Sequence, residues 1–148
     1  MALRLPVARL DPDLALPQYA HPGDAGLDLV AREDGVVAAG GGRLLMPTGI
    51  AVAIPEGHCG LVLPRSGLAL KAGVTVANAP GLIDAGYRGE IKVILLNTNP
   101  TDPYEVHRGD RIAQLLIQRF EAIEWAPVAG VDELDGYDRG GGFGHSGR

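Results

Sequence analysis

Apolar residues in this chain recur with a period of two, in short runs, and almost nowhere with the helical period. Ile50, Val52 and Ile54 alternate within Leu44 to Pro55, and Ile91, Val93 and Leu95 alternate with Lys92, Ile94 and Leu96 within Glu90 to Asn97. Alternation over a few residues predicts half-buried β-strands. Leu3 to Leu10 alternates weakly and predicts a first strand. In Gly23 to Ala31, Asp28 falls between Leu27 and Leu29, which puts it on the opposite face of a short strand, toward solvent or a metal, with solvent favoured. Glu33 to Arg43 is a turn-rich connection, Gly60 to Leu63 a returning strand, and Tyr104 to His107 another. Arg111 to Phe120 places Ile112, Leu115 and Ile117 around a polar Gln114; a strand buried on both faces fits this, with a helix as the alternative. Glu121 to Val131 continues as a strand or irregular edge, with Trp125 as a packing residue. After Pro64, Ser66 is expected to cap a brief helix from Leu68 to Lys71. Val74 to Ile83 and Glu90 to Asn97 are joined by Asp84-Ala85-Gly86-Tyr87-Arg88-Gly89, which predicts a β-hairpin.

Composition sharpens the fold class. The 22 glycines and 11 prolines break the chain into short strands without long helical patterns, so an all-β sandwich or barrel is expected. A length of 148 residues suits one domain. That domain is expected over residues 1–131, because residues 132–148 are too glycine-rich to build a core and are expected to be mobile when free. The single cysteine, Cys59, excludes an intrachain disulfide, suits a reducing cytosol and reads as a packing residue. A net charge of −5 argues against broad nucleic-acid binding but leaves room for a small polyanion met by a few local cations and a metal. Arg4 and Arg9 interrupt the N-terminal apolar run, unlike a signal peptide, and no apolar stretch approaches the ~18 residues that span a bilayer. The expectation is a soluble cytoplasmic protein with neither nucleic-acid nor membrane partners.

Four stretches carry candidate chemistry. The predicted hairpin loop groups Asp84, Tyr87 and Lys92 with Gly86 and Gly89; it suits a flat polar ring held beside an acid, or else an ordinary surface turn. Arg65-Ser66-Gly67 offers a planar guanidinium and free backbone N–H groups to a phosphate, or else a simple cap beside a surface Arg. A buried Gln114 needs a hydrogen-bond partner, either backbone or ligand. Arg139 and Phe143 sit in a glycine-rich frame that suits either a lid that orders on a ligand or a disordered tail.

Five segments in order, GDAGLDL (Gly23 to Leu29), PRSGLALK (Pro64 to Lys71), NAPGLIDAGYRGEI (Asn78 to Ile91), GDRIAQLL (Gly109 to Leu116) and RGGGFGHSG (Arg139 to Gly147), resemble the trimeric deoxyuridine triphosphate diphosphatase (dUTPase) family. The resemblance implies a distorted jelly-roll β-domain in a homotrimer, with each active site between subunits. One chain would supply Asp28, Ser66 and Gln114, a second the central hairpin, and a third its C-terminal arm. The implied activity is Mg²⁺-dependent hydrolysis of dUTP to dUMP and diphosphate, which limits uracil incorporation into DNA and supplies dUMP for dTMP synthesis. Carried over by position, Asn78 and the backbone of Leu82, Ile83 and Asp84 would read uracil, and Tyr87 would exclude a 2′-hydroxyl. Asp84 would activate the attacking water. Arg65, Ser66, Gly67 and Gln114 would hold phosphates, Lys92 would border the nucleotide, and Asp28 would hold Mg²⁺ through water. Arg139 would grip the γ-phosphate, and Phe143, followed by Gly144, would stack on the base. The arm departs from the family pattern: three residues, Gly140 to Gly142, separate Arg139 from Phe143, one fewer than usual. Two rival readings are a dCTP deaminase or bifunctional relative, for which Glu90 is the candidate acid, and a non-catalytic nucleotide-binding β-trimer.

Overall fold

The computed structural model of the chain describes residues 2–143 and residue 147. Eleven strands and one helix are present among them. The strands are β1 (Val7–Arg9), β2 (Leu27–Val30), β3 (Gly35–Val37), β4 (Arg43–Pro47), β5 (Ile50–Val52), β6 (His58–Leu63), β7 (Val74–Val76), β8 (Gly81–Ile83), β9 (Lys92–Asn97), β10 (Tyr104–Val106) and β11 (Arg111–Arg119). Helix α1 spans Ser66–Ala72, and a 3₁₀ turn covers Val131–Glu133. No described helix is long and apolar enough to cross a membrane. The strands form a four-stranded sheet in the order β2-β11-β6-β8, a three-stranded sheet β4-β9-β7, and two-stranded ribbons β1-β5 and β10-β3. All the pairings are antiparallel. Leu29, Val62, Val93, Leu95, Ile112 and Leu115 are buried within one core shared by the larger sheets. This is the all-β architecture that the alternating pattern predicts.

Four local expectations are corrected. Leu44 to Pro55 is two strands in different sheets, not one. The chain turns at Gly49, whose φ of 77° lies in the left-handed region that glycine adopts without strain. The carbonyl of Ile91 holds this corner by accepting from the Thr48 hydroxyl at 2.6 Å. The 33–43 connection contains β3, whose three residues are too few to register as alternation. Residues 121–130 form no strand, and Trp125 is 85% exposed instead of packed. Ser66 does not cap α1: Arg65 is the N-cap residue, without a side-chain cap bond, and Ser66 is the first helical residue.

The predicted hairpin is real only at its base. β7 pairs with β9 through Val76 and Leu95, and the Ala77 N–H donates to Ile94. Beyond that point the two arms part. β8 leaves to pair with β6 in the other sheet, while β9 stays beside β4. The ladder opens from Ala77 onward, and the outer edge of β8 and the facing side of Lys92–Ile94 are left without each other as partners.

Candidate functional site

Two clefts contain the residues singled out in the sequence. The first opens where β8 and β9 part. Asn78, Leu82, Ile83, Asp84, Tyr87 and Lys92 line its volume of about 360 Å³. β8 is the last strand of its sheet, so one row of its backbone N–H and C=O groups faces this cleft without a ladder partner. Val62, Ile91 and Val93 give it an apolar floor. Asp84 lies at the exposed end of β8, and its carbonyl accepts from the Tyr87 N–H at 3.0 Å, which closes a turn. The Tyr87 ring folds back over Gly89: a Cβ there would stand 2.5 Å from its hydroxyl, so only glycine permits this ring position. Gly81 packs against the Asn78 side-chain amide, which would lie 3.3 Å from an added Cβ.

The second cleft, of about 480 Å³, is lined by Asp24, Asp28, Arg65, Ser66, Gly67, Arg111 and Gln114 among others. Strand register assembles it. Gln114 of β11 lies opposite Asp28 of β2 on one side and Leu63 of β6 on the other. Directly opposed residues share a face, so Asp28 and Gln114 point the same way, and the chain leaving β6 delivers Arg65 to them. Asp28 is therefore half-buried and ion-paired instead of facing open solvent. Its carboxylate lies 3.2 Å from Arg65 Nε and 3.7 Å from Arg111 Nη1. Gln114 donates to the Pro64 carbonyl at 3.2 Å, so backbone answers its polar demand and fixes the entry to α1. A Cβ on Gly26 would come within 2.8 Å of Gln114 Oε1, so glycine is what allows that side chain to lie flat there.

Arg111 was not singled out in the sequence. It lies three residues from Gln114, and regular alternation would put the two on opposite faces. A β-bulge between Arg111 and Ala113 resets the parity: Arg111 stands opposite Val30, two residues from Asp28 and on its face. The consecutive buried pair Ile112-Ala113 was the available signal.

Within one chain the two clefts share no lining residue. Ile83, next to Asp84, pairs with Gly60, whereas Arg65 follows the far end of β6. Five residues at ~3.3 Å each put these groups ~16 Å apart along the strand direction. Arg139 and Phe143 are exposed and line neither cleft; the Phe143 side chain is fully open to solvent. Gly144 lies outside the described residues.

The donor set limits what metal fits. Among the described residues no three His, Cys, Asp or Glu side chains converge. The second cleft offers His21, Asp24 and Asp28, but His21 Nδ1 lies 3.3 Å from the Asp24 carboxylate and Asp28 already faces two guanidinium groups. That set cannot cage a bare cation. It does fit a Mg²⁺ that keeps most of its water and is held chiefly by phosphate oxygens, a common arrangement for this ion.

The dUTPase family model matches residues 13–147. The chain is 60% identical to a deoxyuridine 5′-triphosphate nucleotidohydrolase of Thermobifida fusca, over 98% of this chain and 79% of that protein. It is 57% identical to the Mycobacterium leprae protein of the same name, over 99% and 97%. Its fold is similar to that of the Staphylococcus bacteriophage 80alpha dUTPase with dUPNHPP, at a TM-score of 0.88 and 29% identity over 99% of this chain and 100% of that one. It is also similar to a dUTPase mutant from phage phi11 of S. aureus, a structure described for its coordination of a structural Mg(II) ion, at a TM-score of 0.79 and 26% identity over 88% and 99%. With a match spanning nearly the whole chain, relatives this similar and a shared fold, the protein belongs to the dUTPase family.

Proposed function

We propose that this chain hydrolyses dUTP to dUMP and diphosphate at sites built between the subunits of a homotrimer. The observation that carries the reading is the opened ladder between β8 and β9, because it supplies unpaired backbone groups, an aromatic ring and a carboxylate in one cleft. Unpaired strand-edge groups present the alternating donors and acceptors that a uracil edge needs, and Asn78 adds a side-chain amide. Tyr87 packs under the deoxyribose and leaves no space for a 2′-hydroxyl. Asp84 accepts a proton from water as its oxygen bonds to the α-phosphorus; the bond from that phosphorus to the bridging oxygen breaks, and diphosphate leaves. A positioned carboxylate base contributes ~10²–10⁴-fold. Lys92 borders the nucleotide.

Direction supports a site shared between subunits. A nucleotide with its base near Asn78 and its inner phosphate near Asp84 runs its outer phosphates away from its own chain's Arg65. A second copy must then bring Arg65, Ser66, Gly67 and Gln114 to those phosphates. Arg65 pairs its Nε with Asp28 at 3.2 Å and donates from Nη1 to the Arg111 carbonyl, which leaves part of its five-donor fork for phosphate. Phosphoryl transfer depends mainly on positioning and charge neutralisation. Asp28 would hold a hydrated Mg²⁺ through water. When bound, the ion supplies charge neutralisation on the phosphate oxygens. The β-domain covers residues 1–131, and residues 132–148 form the arm of a third subunit: Arg139 meets the γ-phosphate, and Phe143, with Gly144 beside it, stacks on the base.

Deaminase chemistry through Glu90 is disfavoured. Its carboxylate accepts from Arg32 at 3.0 Å and from the Gly49 N–H at 2.9 Å, and it does not line the β8–β9 cleft. The deciding experiment measures diphosphate release from dUTP beside UTP, dTTP and dCTP, and ammonia release from dCTP. Diphosphate from dUTP alone is expected. No turnover of dUTP, or ammonia from dCTP at a comparable rate, overturns the proposal.

A further inference from the structure

Tyr87 does not hold its own position. Its hydroxyl donates to the backbone carbonyl of Glu90 at 2.8 Å, so the ring is as fixed as that carbonyl. The residue that follows is bound at both of its backbone groups: the Ile91 N–H, in the same peptide as the Glu90 carbonyl, donates to Ile50 at 2.9 Å, and the Ile91 carbonyl accepts from the Thr48 hydroxyl and N–H. Glu90 itself is fixed by its side chain. One carboxylate oxygen accepts both the Gly49 N–H at 2.9 Å and Arg32 Nη1 at 3.0 Å. Arg32 also donates to the Leu10 carbonyl at 2.8 Å, and its Nε lies 3.5 Å from Asp11. Asp11 in turn receives both terminal nitrogens of Arg108, at 2.6 and 3.0 Å. Two arginines and two carboxylates thus compensate one another, with the Glu90 and Asp11 side chains each only 14% exposed. The network draws on the N-terminal segment, the β4–β5 corner and the start of β9, and it ends at the carbonyl that holds the tyrosine.

We propose that Glu90 is a positioning residue for sugar discrimination: its carboxylate, clamped by Arg32 and Gly49, sets the carbonyl that holds the Tyr87 hydroxyl and so the placement of the ring against a 2′-hydroxyl. The inference rests on the sugar-excluding role given to Tyr87 above. It differs from a structural role in what it moves. Loss of fold stability lowers the active fraction and scales the rates for dUTP and UTP together. Loss of ring placement changes their ratio.

The test measures kcat/KM for dUTP and for UTP in the full-length protein and in Glu90→Ala, Glu90→Gln, Tyr87→Phe, Tyr87→Ala and the Tyr87→Phe/Glu90→Ala double variant. Glu90→Ala is expected to raise the UTP-to-dUTP ratio by about tenfold, the size of effect that one mispositioned polar contact has on discrimination. Tyr87→Phe, which removes the hydroxyl and leaves the network intact, shifts the ratio in the same direction, and the double variant adds little to either single change. Glu90→Gln keeps an acceptor for Gly49 but loses the charge facing Arg32, and gives a smaller shift of roughly threefold on the same scale. If Tyr87→Ala admits UTP while both Glu90 variants keep the parent ratio, the proposal is overturned and the Tyr87 reading stands. If Tyr87→Ala still rejects UTP, the Tyr87 reading falls and this proposal falls with it. Should Glu90→Ala give no folded protein, Glu90→Gln decides on the same criterion.

Discussion

The two clefts are made in opposite ways from the same antiparallel material. At the Asp28 cleft the ladder is continuous: β2, β11 and β6 stay paired, and register alone brings together residues from three distant parts of the chain. Its charges are already answered internally, with Asp28 between Arg65 and Arg111 and Gln114 tied to Pro64. At the Asp84 cleft the ladder fails to close, and the functional surface is the backbone that this failure exposes. The first arrangement places side-chain charges accurately, which suits a flexible, highly charged triphosphate tail. The second presents fixed donors and acceptors, which suits a rigid ring. On the function proposed above each cleft is half of a site, and a second copy of the chain joins the halves.

The sharpest way to separate the two is Asp84→Asn. It removes the proposed base and leaves the binding surfaces, so hydrolysis is expected to fall by ~10²–10⁴-fold. Nucleotide affinity by calorimetry stays within roughly tenfold, about 1.4 kcal/mol. Hydrolysis at the parent rate would remove Asp84 from the chemistry. Deleting residues 139–148 should also lower the rate severely, with sedimentation and circular dichroism unchanged; normal turnover would show that the arm adds nothing to either cleft. Next in size is a mixing experiment. Subunits carrying Asp84→Asn and subunits carrying Arg65→Ala, each nearly inactive alone, recover part of the activity when unfolded and refolded together, because some sites then combine an intact Asp84 with an intact Arg65 from another chain. If both groups served one nucleotide within a single chain, mixing would restore nothing.

The smallest effect tests the support beneath the Asp84 cleft instead of its chemistry. The hydrogen bond from Arg108 holds the Asp11 carboxyl down at about 2, from an ordinary 3.8, against the opposing effect of its burial. A carboxyl depressed in the folded state contributes stability that is fully present above its unfolded value and is lost as pH falls through its folded value. Between about pH 4 and pH 2 the parent protein should therefore lose melting temperature more steeply than Asp11→Asn, with the two curves running parallel at neutral pH. Equal slopes in that window would show that the pair contributes nothing to folding.

Much of this was legible in the residues, and the gaps have physical causes. β9 follows from alternation, since one buried face per strand is the signal that alternation records, whereas the apolar run of β11 fitted a strand buried on both faces or a helix, and the strand that forms buries mainly one. The break at Thr48-Gly49 was hidden because the apolar alternation of Ile50 and Val52 begins immediately after it and masks the corner. The predicted hairpin extends too far because adjacency in sequence cannot reveal that β8 gains more by pairing with β6, whose Val62 and Leu61 lie 19 and 21 residues before their partners Gly81 and Leu82. The composition of the Asp84 loop pointed to a site, yet the source of the opening lay in that long-range choice. Arg111 was missed because a bulge changes which face a residue takes, and a parity count assumes there is none. The ion-paired state of Asp28 was missed for a related reason: spacing gives the face of a residue but not who stands across from it.

The exposed margin of β8 has a further consequence. A bare strand edge invites adhesion between molecules, and proteins commonly defend such edges with charge or with covering segments. Here that defence would block the slot, so Leu82 stays 63% exposed on a margin that must remain open. A Leu82→Lys variant would resist edge-to-edge association better than the parent and would be the poorer receptor for its ligand, so solubility and recognition are set against each other at a single residue.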